Sequence, residues 1–119
     1  LRILFDQNVP RALGRHLGPH QIIRSAERGW QELRNGDLLK AAEEDGFDLL
    51  LTCDRNLEHQ LRVVGRGVAI IALSTNNWPL IRIHAEEVAK AVDSARPGTY
   101  FAVDCGVFRR KRPARRNDM

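Results

Sequence analysis

The chain has 119 residues, 43% hydrophobic and 29% charged, which is the composition of one ordinary globular domain with a core of its own. It has no apolar run of membrane-spanning length, and its N-terminus lacks a signal peptide's charged and apolar regions, so a cytoplasmic location without a membrane partner is expected. The net charge of +4 sits at one end, where residues 108–119 carry Arg109, Arg110, Lys111, Arg112, Arg115 and Arg116 against Asp118; the rest holds 13 basic and 14 acidic residues, which excludes a broadly basic body.

Leu1 to Phe5 is an apolar run that stops at Asp6 and predicts a buried strand. In QNVPRALGRHLG, Asn8 can cap a helix and Pro10 suits its first turn. Leu13 and Leu17 share a face, and Gly18-Pro19 ends the segment. His20 to Ser25, with Ile22 and Ile23, predicts a short strand and so a β-α-β start with parallel pairing. Ala26 to Gly29 reads as a helical turn, and Trp30 to Arg34 as a loop with Trp30 and Leu33 as packing anchors. Asn35 then caps a helix whose first turn holds Asp37, where the helix dipole favours negative charge. Leu38, Leu39, Ala41 and Ala42 form its apolar side, and Gly46 ends it. Asp48 to Cys53 contains three consecutive leucines, the pattern of a strand buried on both faces of a parallel sheet.

Leu57, Leu61 and Val64 recur at helical spacing and predict a short helix before Gly65. Val68 to Leu73 is the next strand, followed by the polar loop Ser74 to Asn77. Pro79 opens a helix to about Ala95 with Ile81, His84, Val88 and Val92 on one side. Tyr100 to Val103 predicts a last strand at a sheet edge, with antiparallel pairing left open. One domain over 1–107 follows, with a basic tail over 108–119. The tail, interrupted by Pro113, is expected to be disordered in isolation. Arg109, Arg110, Lys111 and Arg112 either contact nucleic acid or merely solvate the end.

In open parallel sheets the C-terminal strand ends form the ligand crevice, which would make Asp6 and Asp54 neighbours. A helix returning to the sheet starts near that edge and can bring Asp37. Carboxylates gathered this way repel one another, and a hard divalent cation such as Mg²⁺ or Mn²⁺ relieves the repulsion. Such an ion polarises a phosphodiester and activates water without a His or Ser nucleophile. Each acid has an ordinary alternative as a turn or cap residue, and Glu32 or Glu43 could replace Asp37 as the middle acid. His16, His20, His59 and His84 show no ligand pairing and read as core or surface residues. Cys53 and Cys105 have neither zinc-type spacing nor a secreted-domain pattern, and alternation turns Cys53 to the face opposite Thr52 and Asp54. Arg55 can meet phosphate, as exposed arginines commonly can, and Asp104 is one more acid at a strand end.

LRILFDQNVP, NGDLLKAAEEDGFD and LLTCDRNL, in this order and at these intervals, resemble the PIN-like nucleases, especially the small group predicted as toxins of toxin-antitoxin pairs. The resemblance covers about Leu1 to Leu73. It implies an α/β three-layer sandwich with a central, mainly parallel sheet. It also implies a Mg²⁺- or Mn²⁺-dependent endoribonuclease hydrolysing RNA phosphodiester bonds, with Asp6, Asp37 and Asp54 as the catalytic, metal-binding acids. A small antitoxin is the implied partner, and a homodimer is a further expectation. Many PIN domains carry Glu at the helix position and a fourth acid two residues after the third. Here these positions hold Asp37 and Asn56, which lowers the negative charge available to a second ion. Thr52 would orient Asp54 or a bound water, and Asn8 and Asn56 would do the same or contact phosphate. Two other readings stay open. One is a catalytically silent PIN-like module that binds RNA or a partner. The other is a receiver-like domain, which requires an acidic pair after the first strand and a Lys after the last.

Overall fold

The computed structural model describes residues 1–106, so the tail residues Arg109, Arg110, Lys111 and Arg112, and the expected boundary at 107, lie outside the described residues. The predicted apolar runs become strands β1 (Arg2–Phe5), β2 (Gln21–Arg24), β3 (Leu49–Thr52), β4 (Ala69–Leu73) and β5 (Tyr100–Val103). They form one sheet in the order β2-β1-β3-β4-β5, with every pairing parallel. The chain winds one way from β1 to β2 and the other way from β3 onward, so the winding reverses between β1 and β3. Such a reversal opens a crevice at the C-terminal strand ends.

Helices α1 (Asn35–Glu44) and α2 (Leu57–Val63) accompany one sheet face; α3 (Trp78–Ile83), α4 (Ala85–Ser94) and the 3₁₀ segment Arg11–His16 accompany the other. Alternation divides the strand residues accordingly. Leu4, Leu50 and Ile70 pack with Leu38, Leu39, Ala42 and Val63, while Phe5, Leu49, Leu51 and Ile71 pack with Leu13, Leu17, Ile81, Val88 and Val92. Two apolar layers around one sheet make the three-layer α/β architecture. No helix among the described residues is long and apolar enough to cross a membrane.

Several local expectations change. Tyr100 pairs with Ile70 and Val103 with Leu73 in parallel register, because the two-helix connection from β4 carries the chain back to the N-terminal end of the strands before β5 begins. The helix expected from Pro79 to Ala95 divides at His84, whose backbone (φ −106°, ψ 16°) leaves helical geometry. Asn77 caps the first piece by accepting from the Leu80 N–H at 3.2 Å. α1 begins at Asn35 itself, with Arg34 at the cap position and no side-chain cap there. Most consequential is α2. Leu57, Leu61 and Val64, whose spacing predicted it, are 66%, 72% and 73% exposed, whereas His59 and Val63 are its buried residues.

Glu43 is not a spare site acid. Its carboxylate accepts from the Arg66 guanidinium at 2.7 Å and the Gly67 N–H at 2.9 Å, tying α1 to the turn before β4. The Gly67 N–H and then Arg66 hold its pKa below the ordinary value. A depressed folded-state pKa gives stability that is present above the unfolded-state value and is lost as pH falls through the folded one. Urea unfolding should therefore show Glu43→Gln less stable than wild type at neutral pH, with the gap closing as pH falls through the carboxylate range. A gap that persists in acid would contradict this assignment.

Candidate active site

β1 and β3 end side by side, with Phe5 paired to Leu51, and the Asp6 N–H extends the ladder one step to the Leu51 carbonyl at 2.9 Å. Two residues beyond Leu4 and Leu50 on the same pleat, Asp6 and Thr52 therefore face the α1/α2 side together. The Thr52 hydroxyl donates to Asp6 Oδ2 at 2.8 Å and accepts from the Asp54 N–H at 3.1 Å. Thr52 is fully buried, so this one hydroxyl fixes the two acid-bearing loops to each other in a water-poor position. Asp6 Oδ1 accepts from the Gln7 N–H at 2.8 Å. Asn8 Oδ1 accepts from the Cys53 N–H at 3.3 Å, a second tie between the loops in place of the expected helix cap.

These loops border a cleft of about 390 Å³ whose lining includes Asp6, Asn8, Arg34, Cys53, Asp54 and His59. A larger groove of about 540 Å³ beside β5 and α4 has a largely apolar wall and neither Asp6 nor Asp54. Asp37 lies exposed in the first turn of α1 and outside the cleft lining, because Leu33 and Arg34 occupy the wall on the approach to α1. Among the described residues no set of three or more His, Cys, Asp or Glu is placed to hold a metal ion. The structure thus brings together Asp6 and Asp54 with Thr52 and Asn8, while Asp37 is not among the residues lining the cleft.

Both acids keep free acceptor sites. Asp6 uses one acceptor site on each oxygen, out of about four per carboxylate, and among the described residues the Asp54 carboxylate has no partner at all. Two carboxylates with spare lone pairs at an open cleft suit Mg²⁺ or Mn²⁺, which retain several waters. By donor chemistry, Asp6 and Asp54 would be the two protein ligands of one such ion. Asn56, at the fourth-acid position, instead caps α2 by accepting from the Glu58 N–H at 2.8 Å. Asn56→Ala should cost about 1 kcal/mol in urea unfolding, and Asn56→Asp, an equivalent cap, much less. Equal losses would mean that the cap does not stabilise α2.

Cys53 is no nucleophile here. Burial, with the Asp6 charge and Cys105 adding, pushes its thiol up to about 12. Burial also raises the Tyr100 phenol, with Arg55 opposing and Asp54 adding, so the loop after β3 extends its electrostatic influence toward β5. His59, read from the sequence as a core or surface residue, is 2% exposed on α2 and part of the cleft lining. Its sequence signal is slight: Val63, one turn on, shares its side of a helix whose apolar residues advertise the other side. Comparison with protein-family models, with curated proteins and with solved structures gave no match.

Proposed function

We propose that this chain is a PIN-like, Mg²⁺- or Mn²⁺-dependent endoribonuclease that hydrolyses RNA phosphodiester bonds, acting as the toxin partner of a small antitoxin. The observation that supports the reading best is the Asp6–Thr52–Asp54 link at the point where the sheet's winding reverses. A cation held by Asp6 and Asp54 would supply Lewis-acid polarisation of the phosphodiester. The chain's own residues do the rest. Thr52 fixes the Asp6 carboxylate, Asn8 keeps the β1 and β3 loops in register, and the Arg34 guanidinium in the cleft offers donors to phosphate oxygens. With Asn56 committed to a cap, one ion suffices for this reading.

The strand order also matches receiver-like domains. Their chemistry is not supplied, since Gln7 stands where the second acid is needed and Asp104, Cys105 and Gly106, rather than a Lys, follow β5. The test is incubation of purified protein with a mixed pool of structured and single-stranded RNA in Mg²⁺, Mn²⁺ or EDTA. Cleavage with either ion and none in EDTA is expected; an inert protein across the pool, or cleavage indifferent to EDTA, overturns the reading. The toxin role is separately tested by growth arrest on induction and its relief by a small protein encoded alongside.

A further inference from the structure

The cleft joins two chemically unlike sets of groups. Asp6 and Asp54 bring negative charge; Arg34, from the approach to α1, and His59, from α2, bring hydrogen-bond donors. The Arg34 guanidinium is held by the Gln31 carbonyl at 3.1 Å and, with the Gln7 amide turned to satisfy both neighbours, by the Gln7 side-chain oxygen at 3.1 Å. A guanidinium has five N–H groups, so donors remain.

His59 is the anomaly. It is 2% exposed, and neither ring nitrogen has a hydrogen-bond partner among the described residues. Native folds rarely leave a buried polar group unpaired. Packing alone would favour the opposite arrangement, because the same short helix exposes Leu57 and Leu61 while burying an imidazole. α2 thus sets that ring in the cleft wall on the side from which Val63 packs into the core.

We propose that His59, together with Arg34, is the substrate-contacting donor of this site, giving a ring N–H to a non-bridging phosphate oxygen of the RNA backbone. The inference rests on the nuclease reading for its substrate. A phosphate alone would be repelled by Asp6 and Asp54. A phosphate whose charge is shared between a cation on those acids and donors from His59 and Arg34 would give the unpartnered His59 N–H an acceptor. Neutral imidazole carries one N–H in either tautomer, so the contact needs no change of protonation. Contacts to phosphate carry no base information, so this one favours cleavage without sequence choice.

The test uses the full chain with ¹⁵N-labelled histidine, Mg²⁺ and inorganic phosphate as the probe. The His59 ring resonances should move on phosphate addition while those of His16, His20 and His84 do not. His59→Phe should lose roughly ten- to hundredfold in phosphate affinity, read from the Gln7 and Asn8 amides, and in kcat/KM on mixed-sequence RNA. His59→Gln, which keeps an N–H donor, should recover part of both. Ring resonances that stay fixed, or a His59→Phe protein that binds phosphate as wild type does, would overturn the proposal and leave His59 a packing residue. If His59→Phe does not fold, the wild-type titration and His59→Gln decide. Phosphate contact at His59 without RNA cleavage in either ion removes the nuclease reading and keeps the contact; cleavage unaffected by His59→Phe does the reverse.

Discussion

Asp54→Asn and Asp6→Asn should each lower metal-dependent RNA cleavage by on the order of a hundred- to a thousandfold, the scale of several kcal/mol of lost Lewis-acid stabilisation. Asp54→Asn is the cleaner substitution, because its carboxylate has no hydrogen bond among the described residues and the fold loses nothing when the charge goes. Asp6→Asn keeps an oxygen for only one of its two donors, the Gln7 N–H or the buried Thr52 hydroxyl, and should cost about 1–3 kcal/mol of stability. Asp54→Asn should therefore unfold in urea near the wild-type midpoint and Asp6→Asn somewhat below it, both losing Mn²⁺ affinity by calorimetry. Initial rates with Mg²⁺ and with Mn²⁺ give the comparison, and folded variants that cleave at the wild-type rate would remove Asp6 and Asp54 from the chemistry. Asp37→Asn belongs in the same series. A loss under about tenfold is expected from its place outside the cleft, and a loss equal to that of the other two would restore the three-acid arrangement.

Leu50→Ala should cost about 2–5 kcal/mol in urea unfolding. Leu50 is fully buried on a central strand, beside Leu4 and Ile70 in register and under Leu38 and Leu39 of α1. None of these neighbours can close over the space without moving a strand or a helix, so the cavity term adds to the lost transfer free energy. Leu61→Ala deletes the same atoms from a side chain that is 72% exposed, and should change stability by no more than about 0.5 kcal/mol. The contrast tests the orientation of α2 directly. A Leu61→Ala cost approaching that of Leu50→Ala would mean that the apolar side of α2 is covered.

The sheet was legible because its strands are continuous apolar runs. Leu49–Leu51 and Ile70–Leu73 have no polar alternation, which only a sheet covered on both faces tolerates. The neighbourhood of Asp6 and Asp54 followed from that sheet alone, since strand ends are placed by pairing rather than by side-chain detail. Asp37 was less legible, because its position depends on the path of residues 25–34, whose 3₁₀ turn and loop set where α1 starts. His59 was least legible. Helical spacing finds a helix but not the side it buries, and on α2 the side carrying His59 and Val63 is buried while Leu57 and Leu61 are exposed. The break at His84 has a similar origin. The pattern Ile81, Val88, Val92 is continuous with one helix, yet the chain departs from it at His84 and starts a second helix whose first buried residue is Ala85.

The Thr52–Asp6 bond spans 46 residues of chain. On a ribosome adding about 5–20 residues per second, Thr52 is synthesised some two to ten seconds after Asp6, and later still it clears the exit tunnel. Until then β1 has no β3 to lie against and the two acids have no common position. On the nuclease reading proposed above, the cutting edge would thus emerge in separate pieces, harmless to the machine producing it until the third strand is laid down.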